Sequence, residues 1–211
     1  METSTVSIDS RTDVRNAIYE RRSIRKYQDK ALNKKLVEEI IQAGRMAPSA
    51  MNKQPWSFYV VSDRQLIKEL SKSIIKASFM DFAKSGIRQM VRTASDLYHA
   101  ARHADLKSTD DPVFHGAQTV VFITAPKEDE WAMIDVGMCA QNMLLMAHSL
   151  GIGGCPIGFA KLVEHAKSYP KLRIPDGEHV VLAIILGFPD EVPEVHPRRR
   201  NNVFFLQEMD Q

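Results

Sequence analysis

The sequence predicts an α+β domain in which a small mixed β-sheet lies between helices. Three observations lead there. HVVLAIILGFP is a nearly uniform apolar run, the pattern of a central strand covered on both faces. LNKKLVEEIIQAGR repeats its apolar residues at helical spacing. The order helix, helix, strand, helices, strand, helix, strand excludes the all-α and all-β classes and lacks the regular alternation of a doubly wound fold. The 211 residues suffice for one substantial core and show no composition shift, so 1–211 reads as a single domain.

Each element has a local cause. A first helix begins near Thr12 or Asp13, either of which can accept from the free N–H groups of the first turn. Its stripe of Val14, Ala17 and Ile18 continues into Arg21 and Arg22. In the second helix Asn33 caps, Leu32 staples against Val37, and Leu36, Val37, Ile40, Ile41 and Ala43 form the apolar face. Pro48 stops it. PWSFYVVS is a strand, and a third helix runs from Arg64 to about Lys76. From 77 to 115 the pattern weakens, and the stretch reads as a lid over a site or as a plain surface insertion. AQTVVFITAP is a β-branched strand closed by Pro126. WAMIDVGMCAQNMLLMAHSLG is apolar around most of its circumference, so it belongs in a core or a subunit interface. Gly151 ends it, IGGCPIGF follows as a glycine-rich connection, and the exposed-looking VFFL of the tail needs something to pack on.

Composition removes several functions. With 28 basic against 26 acidic residues, 44% hydrophobic and 26% charged, the chain has no charge signature for nucleic acid. Its apolar runs are too short for a membrane span. Cys139 and Cys155 lack metal-ligand spacing, the first residues METSTVSIDSRTD are polar, and a cytoplasmic location is expected. The histidines form no helical zinc pair, and neither GxGxxG after a first strand nor a P-loop is present.

Three stretches remain. RRSIRK at 21–26 and RRR at 198–200 would hold a phosphate if the fold joined them; apart, they are a helix C-terminal cap and a solvated charge run. GIGGCPIG lets backbone approach a flat ligand, or is a simple helix stop. PSAMNKQPWSF is a stiff polar loop that suits a ligand edge or is only a well-made turn. Asp135, Gln141 and Asn142 read as satisfied interface polars, and Cys155 as a small packing residue.

As an ordered set, RRSIRKY, APSAMNKQPWSFYVV, the DVGMCAQNMLLMA helix running into SLGIGGCPIGF, and LGFP followed by HPRRR resemble the nitroreductase family of flavoproteins, over 12–75 and 115–205. The resemblance implies an intertwined homodimer with two FMN sites at the subunit interface. It places the flavin phosphate on Arg21, Arg22, Ser23 and Arg198, with Arg199 and Arg200 as neighbours in register, and Arg25 at the N1 and O2 edge of the ring. It brings Pro48, Ser49, Ala50 and Asn52 from the partner subunit, and the backbone of Gly154, Ile157 or Gly158 toward flavin N5. No catalytic side chain and no metal are implied. The activity implied is hydride transfer from NAD(P)H through the flavin to a small-molecule acceptor such as a nitroaromatic or quinone. A flavin-binding or storage module, and a reductive dehalogenase or ene reductase on the same scaffold, are the alternatives. An asparagine and a lysine that many relatives set against the flavin pyrimidine ring find no match here.

Overall fold

The structure is a computed structural model that describes residues 14–84 and 111–204, with the side chains of 79–84 set aside. The cap at Thr12 or Asp13, most of the 77–115 stretch and the end of VFFL lie outside the described residues. In chain order the elements are α1 (Val14–Glu20), α2 (Lys34–Arg45), a 3₁₀ turn (Ala50–Asn52), β1 (Ser57–Val61), α3 (Arg64–Lys84) and β2 (Thr119–Pro126). Then come α4 (Ala132–Ser149), β3 (Gly153–Ile157), 3₁₀ segments Gly158–His165 and Tyr169–Leu172, and β4 (Glu178–Gly187).

The strands form one sheet in the order β1-β2-β4-β3, with all three pairings antiparallel. A parallel component enters as a single bridge, Ser23 to Gly154. Strand periodicity sorts β2 between two cores: Val120 and Phe122 face α3 and the 3₁₀ segments, while Val121, Ile123 and Ala125 face α2 and α4. β4 is central, as its sequence predicts, with Ala183, Ile184, Ile185 and Leu186 fully buried. Its pairing with β2 shifts register between Ile123 and Thr124, which leaves Val181 of β4 as the extra residue.

Asn33 caps α2 by accepting from the Lys35 N–H at 2.9 Å. Val37, Ile40 and Ile41 are buried against the α4 core, and Leu32 and Leu36 pack at its margin. Three expectations are corrected. The IGGCPIGF connection is strand β3, paired with β4 from Gly153–Gly187 to Ile157–Ala183. Its glycines signalled a turn, but the long apolar β4 offers an edge and tertiary pairing overrides local propensity. The third helix continues to Lys84 instead of ending near Lys76. In α1 only Ala17 is buried; Val14 and Ile18 are 68% and 54% exposed. Met133 and Ile134, in the first turn of α4, are likewise 70% and 56% exposed.

Candidate functional site

The C-terminal end of α1 and the C-terminal end of α4 meet β3 around a cavity of about 490 Å³. Tyr19, Arg21, Arg22, His148, Gly153 and Glu191 are among its lining residues. The two arginines do different work. Arg22 Nη1 donates to the carbonyl oxygens of Tyr19 at 2.7 Å and Arg21 at 2.6 Å, so it caps the negative end of α1. Arg21 Nη1 is buried and has no hydrogen-bond partner. Burial lowers the Arg21 pKa; nearby Cys155 opposes the shift, and the charges of Arg22 and Arg198 reinforce it. The N-terminal and C-terminal basic segments are thus within electrostatic reach of each other. Burial likewise lowers the pKa of His148, with Glu20 opposing and both Arg21 and Arg22 adding to the effect. A buried guanidinium nitrogen without a partner, beside further cations, is a donor that an anion can satisfy.

Beyond Arg22 the chain runs along the free edge of β3. Ser23 bridges Gly154, and the Ile24 N–H donates to the Gly154 carbonyl at 3.2 Å. This approach needs glycine, because a Cβ on Gly153 would stand 2.9 Å from Ile24 carbons, and one on Gly154 would stand 2.9 Å from Leu144 Cδ2. Cys155, 1% exposed, has its thiol pKa raised by burial, against the opposing influence of Arg25, the Ser23 side chain and Arg21. At the end of β3 Ile157 is buried, and Gly158, which opens the following 3₁₀ segment, is exposed, with nothing within 4 Å of where its Cβ would be.

Segment 188–191 then pairs with 25–28. The Gln28 N–H donates to the Phe188 carbonyl at 3.0 Å, Tyr27 bridges Pro189, and the Asp190 N–H donates to the Lys26 carbonyl at 2.9 Å. Glu191 Oε1 accepts the backbone N–H groups of both Arg25 and Lys26. From Glu191 the chain continues along the cavity through Val192, Pro193 and Val195, and Arg198 Nη1 donates to the His196 carbonyl at 2.7 Å. Arg199 and Arg200 are exposed.

The PSAMNKQ loop lies elsewhere. Ala50 donates its N–H to Asp135 in the first turn of α4, at 3.2 and 3.1 Å to the two oxygens. Ser49 Oγ accepts the Gln54 N–H at 2.9 Å, and Asn52 Oδ1 accepts from the Gln54 side chain at 3.1 Å. Met51, Asn52 and Gln54 all have positive φ, at 52°, 55° and 48°. Three left-handed non-glycine residues in so short a span are a costly conformation held in place by these bonds. Pro48 and Asn52 are exposed, and Ser49 and Ala50 half-buried. Asp135 and the cavity residue His148 are thirteen residues apart on α4, about 20 Å along its axis. Within one chain, then, the structure brings Arg21, Arg22, Ser23 and Gly154 together, with Arg198 near enough for its charge to act on Arg21, and leaves the loop at the far end of the helix.

The nitroreductase family model matches residues 18–188, most of the chain. The chain belongs to the nitroreductase family. A relative from Archaeoglobus fulgidus, provisionally named NADH dehydrogenase/NAD(P)H nitroreductase, is 31% identical over 82% of this chain and 84% of its own. The 4-nitrobenzoate reductase of Pseudomonas putida is 25% identical over 85% of this chain and 86% of its own. The FMN-bound crystal structure of a nitroreductase from Bacteroides fragilis superposes with TM-score 0.74 at 25% identity, covering 92% of this chain and 99% of that one. In this nitroreductase the sequence reading missed Glu191 and His148 as cavity residues. A glutamate two residues after LGFP and a histidine near a helix end carry no local signal, since their importance comes from what segment 21–28 places against them. Asp135 is a satisfied polar residue as expected, but its partner is in its own chain. Among the described residues no group of three or more His, Cys, Asp or Glu side chains could hold a metal, and no helix is long and apolar enough to cross a membrane.

Proposed function

We propose that this nitroreductase is an FMN-dependent oxidoreductase that takes hydride from NAD(P)H and delivers it to a nitroaromatic, quinone or similar acceptor. The observation that carries the reading is the buried, unpartnered Arg21 Nη1 at a cavity that Arg22 also lines and Arg198 reaches electrostatically. A phosphate with charge near −2 satisfies that donor and offsets the mutual repulsion of the guanidiniums. These residues therefore fit the phosphate end of FMN. Bound FMN supplies the redox chemistry, accepting hydride and passing it on.

The chain's own residues bind and orient. Arg21 and Arg198 hold the phosphate, Arg22 fixes the end of α1 from which Arg21 projects, and Ser23 ties that end to β3. Arg25 places positive charge at the pyrimidine edge of the ring, where electron density collects. The backbone of Gly154, Ile157 and Gly158 would face the ring. Pro48, Ser49, Ala50 and Asn52 serve the site of a second copy, because their own chain's cavity is a helix length away. The homodimer this requires is supported by the exposed apolar side chains of Val14 and Ile18 on α1 and of Met133 and Ile134 on α4.

The deciding experiment is spectroscopic. Purified protein should be yellow, release FMN on heating, and oxidise NAD(P)H when a nitroaromatic or quinone is supplied. A colourless protein that fails to take up added FMN overturns the proposal, and one that binds FMN without oxidising NAD(P)H is a flavin-binding module instead.

A further inference from the structure

We infer that Glu191 is a positioning residue for Arg25, fixing that guanidinium at the flavin edge by clamping the backbone from which it projects. The inference rests on the placement of Arg25 proposed above.

Arg25 has a long side chain, and its reach is useful only if its backbone is fixed. Residues 21–28 form no regular element after α1 ends at Glu20; backbone bonds tie Ile24 to Gly154 on one side of Arg25 and Lys26 to Asp190 on the other, while the N–H of Arg25 itself is held by a side chain. Two side-chain contacts complete the hold on Arg25. Tyr27 donates its hydroxyl to the Ile24 carbonyl at 2.5 Å, closing a four-residue loop around Arg25 and Lys26. From the other side Glu191 Oε1 accepts the N–H of Arg25 and that of Lys26, the latter at 3.0 Å. Two consecutive N–H groups converging on one carboxylate oxygen make a small concave anion site, here filled by the protein itself. Glu191 reaches it from 166 residues away, through the pairing of 188–190 with 26–28. The same residue lines the cavity with Arg21, so one carboxylate joins the loop bearing Arg25 to the wall that Arg21 shares. Its negative charge is met by two N–H dipoles, which limits its repulsion of a phosphate in that cavity.

The test uses the full chain loaded with FMN and compares E191Q, E191A, R25A and the double variant R25A/E191A. Two quantities are read: the FMN dissociation constant by fluorescence titration, and the midpoint potential of bound FMN. E191Q retains an Oε1 that can accept both N–H groups and should stay within about twofold of wild type, because the amide oxygen has two acceptor sites. E191A should weaken FMN binding about tenfold, as expected for losing hydrogen bonds to a charged group. It should also move the potential negative, in the direction of R25A. In R25A/E191A the second substitution should add little, since both act through one guanidinium. A purely structural Glu191 would change FMN affinity without moving the potential, and would add fully to R25A; either result overturns the inference. So does E191A with wild-type values beside an impaired R25A. R25A with wild-type affinity and potential removes the placement of Arg25 itself, and the inference with it. If E191A does not fold, E191D keeps the charge but shortens the reach. A negative potential shift in E191D supports the inference, and a wild-type potential overturns it.

Discussion

Asp135 holds the Ala50 N–H between both of its carboxylate oxygens, at 3.2 and 3.1 Å, while being only 2% exposed itself. One buried carboxylate in the first turn of α4 thereby anchors the loop that carries Met51, Asn52 and Gln54 in left-handed conformation. Asp135→Ala should cost about 1.5–3 kcal/mol, the range for a hydrogen bond to a charged group. Asp135→Asn, which keeps one acceptor oxygen, should lose less. Urea unfolding of the two variants checks the order, and equal stability of D135A and wild type would remove Asp135 as the anchor.

Arg21 and Arg22 should separate in a titration. Arg21→Ala should weaken FMN binding by about 1.5–3 kcal/mol while leaving the flavin-free protein as stable as before, because the buried Nη1 has no partner to lose. Arg22→Ala gives up the carbonyl bonds at the end of α1, so its melting temperature should fall even without flavin. The reverse pattern would exchange their roles.

Acid should destabilise the flavin-free chain through His148. Burial, reinforced by Arg21 and Arg22 against Glu20, lowers its pKa from the ordinary 6.5. The depressed folded value means that its contribution is present above pH 6.5 and is lost as pH falls through the lowered pKa. Thermal melts in steps from neutral to acid should fall more steeply in wild type than in His148→Gln. Parallel curves would show that His148 does not titrate in this range.

The two thiols should be silent in the folded protein. Burial raises the Cys139 pKa to about 12, with Arg45 opposing, and raises that of Cys155 as well. A thiol-disulfide reagent at mildly alkaline pH should label neither until denaturant is added. For Cys139 the associated stability is complete below its ordinary pKa of 9 and is lost as pH rises through about 12. Rapid labelling of Cys155 in the native protein would show that the β3 edge opens.

The exposed apolar side chains of α1 and α4 should control association. Ile18→Asp combined with Ile134→Asp puts charge on two side chains now 54% and 56% exposed. Sedimentation should report a monomer for this variant and a dimer for wild type. A monomeric wild type would leave these side chains without their proposed partner.

How much of this was legible beforehand depended on distance along the chain. The α2 cap at Asn33, the central β4 and the β-branched β2 follow from local patterns, and each was readable. GGCPI was misread because glycine and proline are turn signals locally, whereas the edge of β4 and the approach of Ile24 make this segment a strand. The meeting of RRSIRK with the C-terminal arginines was an open possibility in the sequence. What brings them together is the pairing of 188–190 with 26–28, a contact across some 160 residues that no local pattern encodes. Glu191 was invisible for the same reason.

With the Ala50 loop and the Arg21 cavity at opposite ends of α4, defects in the two should complement one another. A mixed assembly of one chain broken at the cavity and another broken at the loop would concentrate both faults in a single centre and leave its counterpart intact. Two variants inactive alone should therefore regain up to about a quarter of the activity when equal amounts of their subunits are exchanged, since half of the dimers are then mixed and each keeps one intact centre.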